Sequence, residues 1–142
     1  MLRRKSSAAG PPAQAVEFLM KLSSQSSSGQ NMVTAHGPGW IEIAGHRYQR
    51  SLRLTPDGID AAWGPNPGEV LNESHLASLA AFTGHVVLLG TGLRQRFPPP
   101  QLLRALVEAG LAPEIMDTGA ACRTYNLLLA EGRAVVAALI IE

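Results

Sequence analysis

The tightest constraint on how this chain folds is its last apolar run, Ala134 to Ile141, eight residues without a polar side chain. It is too short for a bilayer span, which takes about 20 apolar residues. With no polar alternation, it reads as a strand covered on both faces and central in a sheet. Val86 to Leu89 is a shorter run of the same kind. Two strands buried on both faces need cover on either side, and the intervening spacing supplies helices. Asn72 is placed to cap a helix in which Leu76, Leu79 and Ala80 recur at three and four, ending near Gly84. Pro99 and Pro100 suit a first helical turn, Leu102, Leu103, Leu106 and Val107 form its stripe, and Gly110 ends it. Leu111 to Met116 reads as a further strand, with Pro113 near its start. Asp117 or Thr118 then caps a last helix that Gly132 stops.

Upstream the period is two. Trp40 to Ala44 alternates, with Ile41 and Ile43 on one face, and Gly45-His46 supplies a hairpin turn. Arg47 to Thr55 continues as a strand with Tyr48, Leu52 and Leu54 on one face, interrupted by Arg50. Thr55-Pro56-Asp57-Gly58 is a turn, since proline sets φ at its second position and glycine closes its fourth. Ile59, Ala61 and Trp63 line a third strand, completing an antiparallel meander. The expected fold is α/β: a single three-layer domain over residues 31–142, with a mixed central sheet, an N-terminal meander, a βαβ unit and helices on the faces.

Residues 1–30 differ in kind. They hold seven of the ten serines, both lysines and a single acid, Glu17, whereas residues 31–142 carry eight arginines and ten acids. The Ser-Ser-Gln-Ser-Ser-Ser tract cannot bury apolar area against its ordering entropy, so the segment reads as a disordered basic leader. Organelle targeting is the alternative for this Arg- and Ser-rich stretch, and Met20 is an alternative start. Otherwise a cytoplasmic protein is expected. A formal charge of +1 excludes coating nucleic acid by net charge. Arg47 and Arg53 share a strand face without an aromatic ladder, which gives no stacking platform. The single cysteine, Cys122, excludes an internal disulfide and any multi-cysteine metal site. The four histidines lack metal-ligand spacing, so each reads as a turn or surface residue and no metal site is expected.

The βαβ order places the carboxyl ends of the strands that finish at Leu89 and Met116 on one rim, where open α/β sheets bind ligands. Gly90 to Pro98 would there face Asp117 to Asn126. Gly90-Thr91-Gly92 is not a dinucleotide fingerprint, because Gln95 stands where the third glycine belongs and three prolines separate the loop from its helix. Arg94, Arg96 and Arg123 are either an anion clamp or ties between the loops. Cys122 shares a helical face with Tyr125 and Leu129 and reads as a buried small hydrophobe rather than a nucleophile. Asp117 reads as a cap rather than a general base.

These two segments, Val-Val-Leu-Leu-Gly-Thr-Gly-Leu-Arg-Gln-Arg-Phe-Pro (86–98) and Met-Asp-Thr-Gly-Ala-Ala-Cys-Arg-Thr-Tyr-Asn (116–126), resemble a small family of unknown function that includes mitochondrial complex I assembly factor 3. The likeness runs from about Met32 to Ile141 and is nearest the bacterial branch. It implies a three-layer α/β fold with one strand antiparallel to the rest, no established enzyme activity, cofactor or metal, and an assembly role in the mitochondrial members. The residues it carries over are Gly90, Gly92, Arg96, Phe97, Pro98, Asp117, Thr118, Ala121, Arg123, Thr124, Tyr125 and Asn126. The expectation is a non-catalytic interaction domain with a protein partner at the paired loops. A binder of, or enzyme on, a small anionic ligand at the same loops is the alternative. In that case Asp117 or Tyr125 would handle protons.

Overall fold

The computed structural model describes residues 31–142, and the leader expected over 1–30 lies outside them. The described chain forms two sheets. The first is antiparallel, with β1 (Val33–Gly37), β2 (Trp40–Ile43) and β3 (His46–Tyr48) in spatial order. The second has five strands in the order β5-β4-β8-β6-β7, comprising β4 (Leu52–Thr55), β5 (Gly58–Asp60), β6 (Val86–Gly90), β7 (Glu114–Met116) and β8 (Val135–Leu139). The helices are α1 (Glu73–Ala77), α2 (Arg104–Glu108) and α3 (Thr118–Ala130), with short 3-10 turns at Ser78–Ala81 and Pro100–Leu103.

The apolar runs end where their composition requires. β8 lies between β4 and β6, and all five of its residues are buried. It runs parallel to β6, which runs parallel to β7, while β4 pairs with it antiparallel. Side chains alternate across the sheet. Val135, Ala137 and Leu139 join Ile41, Ile43, Leu52, Leu54 and, on α3, Cys122, Tyr125 and Leu129 on one face. Val136 and Ala138 join Trp63, Leu76, Leu79 and Leu106 on the other. The result is three layers around a mixed central sheet.

Five details depart from the sequence reading. The stretch Arg47–Thr55 is not one strand: β3 ends at Tyr48, β4 starts at Leu52, and the chain crosses between sheets there. Arg50, which would have pointed into the core from a continuous strand, is exposed at that break, and Ser51 beside it is buried. The Ser51 hydroxyl accepts the Ile141 N–H at 3.1 Å, which satisfies both groups in the interior. The third meander strand stops at Asp60, and Ile59 and Trp63 belong to opposite cores rather than one face. The indole N–H of Trp63 donates to the His75 carbonyl at 2.9 Å, fixing it under α1.

The helix after Pro100 begins as a 3-10 turn, which rotates the stripe so that Leu106 is buried and Val107 is 66% exposed. Finally, β1 precedes the expected meander. The hairpin between β2 and β3 turns on Ala44 and Gly45, one position earlier than expected, with φ of 50° and 87°. Both are left-handed, as two-residue turns matching the strand twist require.

Candidate functional site

The rim is built by strand ends that cannot separate. Because β6 and β7 are parallel and joined through α2, the segments leaving Gly90 and Met116 emerge side by side. Thr118, the first residue of α3, ties them. Its N–H donates to the Gly92 carbonyl at 2.9 Å. Its hydroxyl accepts the Gly92 N–H at 2.8 Å and donates to the Ile140 carbonyl at 2.6 Å. One buried side chain thus joins the glycine loop, the start of α3 and the end of β8. Gly90 is required for this approach, since a Cβ there would sit 2.9 Å from the Thr118 Cα.

Thr91, also buried, organises the rest of the glycine loop. Its hydroxyl donates to the Arg94 carbonyl at 2.6 Å and accepts the Arg96 N–H at 3.0 Å, closing a tight turn that presents residues 92–96. Asp117 caps α3, with its carboxylate accepting the Ala120 N–H at 2.8 Å. Leu93 and Phe97 project outward, 59% and 71% exposed.

Arg96 and Arg123 do not converge. Arg96 forms an ion pair with Glu142 at 2.8 Å. Arg123 lines a separate shallow groove with β1, near His36 and Asn126. The Arg94 guanidinium has no ion pair among the described residues. Arg96 and Arg123 therefore serve different grooves, Arg96 beside the glycine loop and Arg123 beside β1. Ties between the loops run through Thr118 rather than through guanidinium groups.

The Arg-Thr-Tyr-Asn segment divides its duties. Tyr125 is fully buried, and its hydroxyl donates to the Asn31 carbonyl at 2.6 Å. Burial, and secondarily the charge of Asp57, pushes its phenol above the ordinary tyrosine range, so the hydroxyl keeps its proton at neutral pH. Asn126 holds β1 by both backbone groups of Val33: its Oδ1 accepts the N–H at 2.9 Å and its Nδ2 donates to the carbonyl at 2.7 Å. Thr124 sits over the Met116 sulfur. Burial likewise raises the Cys122 thiol from 9.0 to about 12, against the lowering effect of Arg123, which makes it a core residue rather than a nucleophile.

Two participants come from outside the two loops. Glu142 reaches back over the glycine loop: it accepts the Leu93 N–H at 3.2 Å and lies where a Cβ on Gly92 would meet its Cδ at 2.6 Å. His36, on the unanticipated β1, lies over the first turn of α3, with its Cε1 3.0 Å from where a Gly119 Cβ would be. Beside the glycine loop opens a largely apolar hollow of about 340 Å³, bounded by Val70, Leu71, Phe97, Pro98, Leu102 and Ile140, with Arg96 and Glu142 on its polar side. Among the described residues no cluster of His, Cys, Asp and Glu is arranged to hold a metal. No helix among them is long and apolar enough to cross a membrane.

The comparisons with known proteins bear on this geometry. Residues 33–140 match a family model described as "Protein of unknown function (DUF498/DUF598)". A 13 kDa major membrane protein of Francisella tularensis is 36% identical over 63 residues, 44% of this chain and 51% of that protein. NADH dehydrogenase [ubiquinone] 1 alpha subcomplex assembly factor 3 of Bos taurus is 47% identical over 55 residues, 39% of this chain. The matched stretches span about half of the first relative and 30% of the second. A crystal structure of a Bordetella parapertussis protein superimposes with a TM-score of 0.68 at 38% identity, covering 80% of this chain and 98% of that one.

Proposed function

This chain belongs to the DUF498/DUF598 family, and we propose that it acts as a non-catalytic interaction domain of assembly type. Its contact surface is the rim of Gly90–Pro98 and Asp117–Asn126. The observation that carries this reading is the pairing of a fixed backbone with exposed apolar side chains. Thr91 and Thr118 lock the glycine loop, yet that loop holds Leu93 and Phe97 out in water, and Val70 across the hollow is 82% exposed. Exposed apolar side chains on a rigid support are what a protein partner covers. The relative named as an assembly factor is consistent with this role. The polar residues closest to hand for chemistry are engaged in structure: Asp117 caps a helix, and Tyr125 and Cys122 are buried. The same reading takes the cytoplasm as the place of action.

The test is an affinity capture with the full chain, quantified by mass spectrometry, comparing the wild type with a Leu93→Ser/Phe97→Ser double variant and a Val107→Ser control. The expected result is a partner retained by the wild type and the control and lost with the double variant. Recovery of the same proteins by all three overturns the assignment of the rim.

A further inference from the structure

The hollow beside the glycine loop already has a carboxylate on its polar side, and that carboxylate belongs to the chain itself. Glu142 Oε1 accepts the Leu93 N–H at 3.2 Å, and Oε2 accepts from the Arg96 guanidinium at 2.8 Å. A backbone N–H and a guanidinium directed at one carboxylate form a charge-assisted receptor for an anionic oxygen pair. Gly92 has no side chain to obstruct it, and its φ of +100° turns the backbone so that the carboxylate can approach. The receptor opens onto solvent, the Arg96 and Glu142 side chains being 60% and 34% exposed, so an incoming group can reach it. Behind it lie the side chains of Val70, Leu71, Pro98, Leu102 and Ile140. The remaining acid on the wall, Glu69, is turned to accept the Asn66 N–H at 2.8 Å.

We infer that this hollow is a binding site for a small monocarboxylate with an apolar body, an acyl or aryl acid, whose carboxylate displaces that of Glu142 from Arg96 and the Leu93 N–H. Three features support it. The donors are already arranged around a carboxylate, so the geometry for one is realised in the fold. The volume of about 340 Å³ lies within the range of small-ligand pockets, and its walls are apolar with polar groups converging at one side. The intramolecular pair is solvent-exposed and so weakly held, which lets a ligand with additional apolar contact displace it. Glu142 then acts as a built-in competitor that keeps the receptor neutralised when no ligand is bound. The inference goes beyond the partner-contact reading and does not require it, since a small acid can occupy the hollow whether or not a protein covers Phe97.

The test is titration of the 15N-labelled full chain with octanoate and, as the neutral control of the same length, 1-octanol, read by amide chemical shifts. Octanoate is expected to shift the Leu93 and Gly92 amides together with those of Leu71 and Leu102 along one saturable curve. Octanol should leave Leu93 in place. Arg96→Gln is expected to weaken octanoate by about ten-fold, the loss of one charge-assisted contact. Glu142→Ala is expected to tighten it by about two- to five-fold, the release of an exposed ion pair. The opposite sign of these two effects is something that a misfolded variant does not produce. No saturable shift up to about 10 mM in either the wild type or Glu142→Ala overturns the site. Equal response to octanol, or affinity indifferent to both substitutions, overturns the carboxylate assignment. None of these failures would move the capture result at Leu93 and Phe97.

Discussion

Replacing Thr118 by valine tests whether one hydroxyl holds the rim together. The substitution keeps the branched shape and removes Oγ1, which accepts the Gly92 N–H at 2.8 Å and donates to the Ile140 carbonyl at 2.6 Å. The Gly92 N–H is then buried without a partner, which costs about 1–3 kcal/mol, and losing the second bond adds about 0.5–1.5 kcal/mol. The methyl that takes the oxygen's place also stands too close to both groups, which adds strain in the same direction. The expected destabilisation is therefore about 2–4 kcal/mol, a large fraction of the stability of a domain this size. Urea unfolding followed by circular dichroism measures it, with Thr118→Ser as the companion that keeps the hydroxyl and should lose about 1 kcal/mol or less. Amide exchange should locate the damage at residues 90–93 rather than throughout the sheet. A Thr118→Val protein within about 0.5 kcal/mol of the wild type would refute the view that this side chain joins the two loops.

Other outcomes follow from the same contacts. Asn126→Ala should release both backbone groups of Val33, so amide exchange at β1 should accelerate well before exchange at β8, which would remain protected. Gly92→Ala should destabilise by about 1 kcal/mol or more from its positive φ and displace the Glu142 side chain, seen as a changed Leu93 amide. Phe97→Ser should leave stability within about 0.5 kcal/mol, because the ring is exposed, while removing partner capture. The Cys122 thiol, raised from 9.0 to about 12, ionises more readily in the unfolded chain. Its contribution to stability is therefore present below pH 9 and lost as pH climbs toward 12, and an aromatic disulfide reagent should react at pH 8 only after unfolding.

Much of the fold was legible because it follows from continuous burial. Ala134–Ile141 could only be a central strand, and the helix joining Val86–Leu89 to Leu111–Met116 fixes the common direction of those two strands and hence the rim. Asp117 as a cap and Cys122 as a core residue were readable for local reasons, a strand–helix junction and a helical face shared with Tyr125. What escaped the sequence was set by distant contacts. β1 buries only Val33 and gains its place from β2 and the Asn126 side chain, neither of which leaves a periodic trace in Val33–Gly37. The break after Tyr48 was visible only as the odd position of Arg50. Glu142 and Arg96 meet across 46 positions, and no spacing rule reports where a long guanidinium side chain turns. For the same reason Arg96 and Arg123, expected on facing loops, line different grooves.

The most direct test of the rim as the contact surface is photocrosslinking in cells from a benzoylphenylalanine placed at position 97 or at position 107. Both native side chains are exposed and apolar, but Val107 lies near the end of α2 that leads into β7, at the opposite end of the parallel strands. With the rim as the contact surface, a discrete crosslinked product forms from position 97 and none from position 107. The same product from both positions, or from position 107 alone, would contradict it.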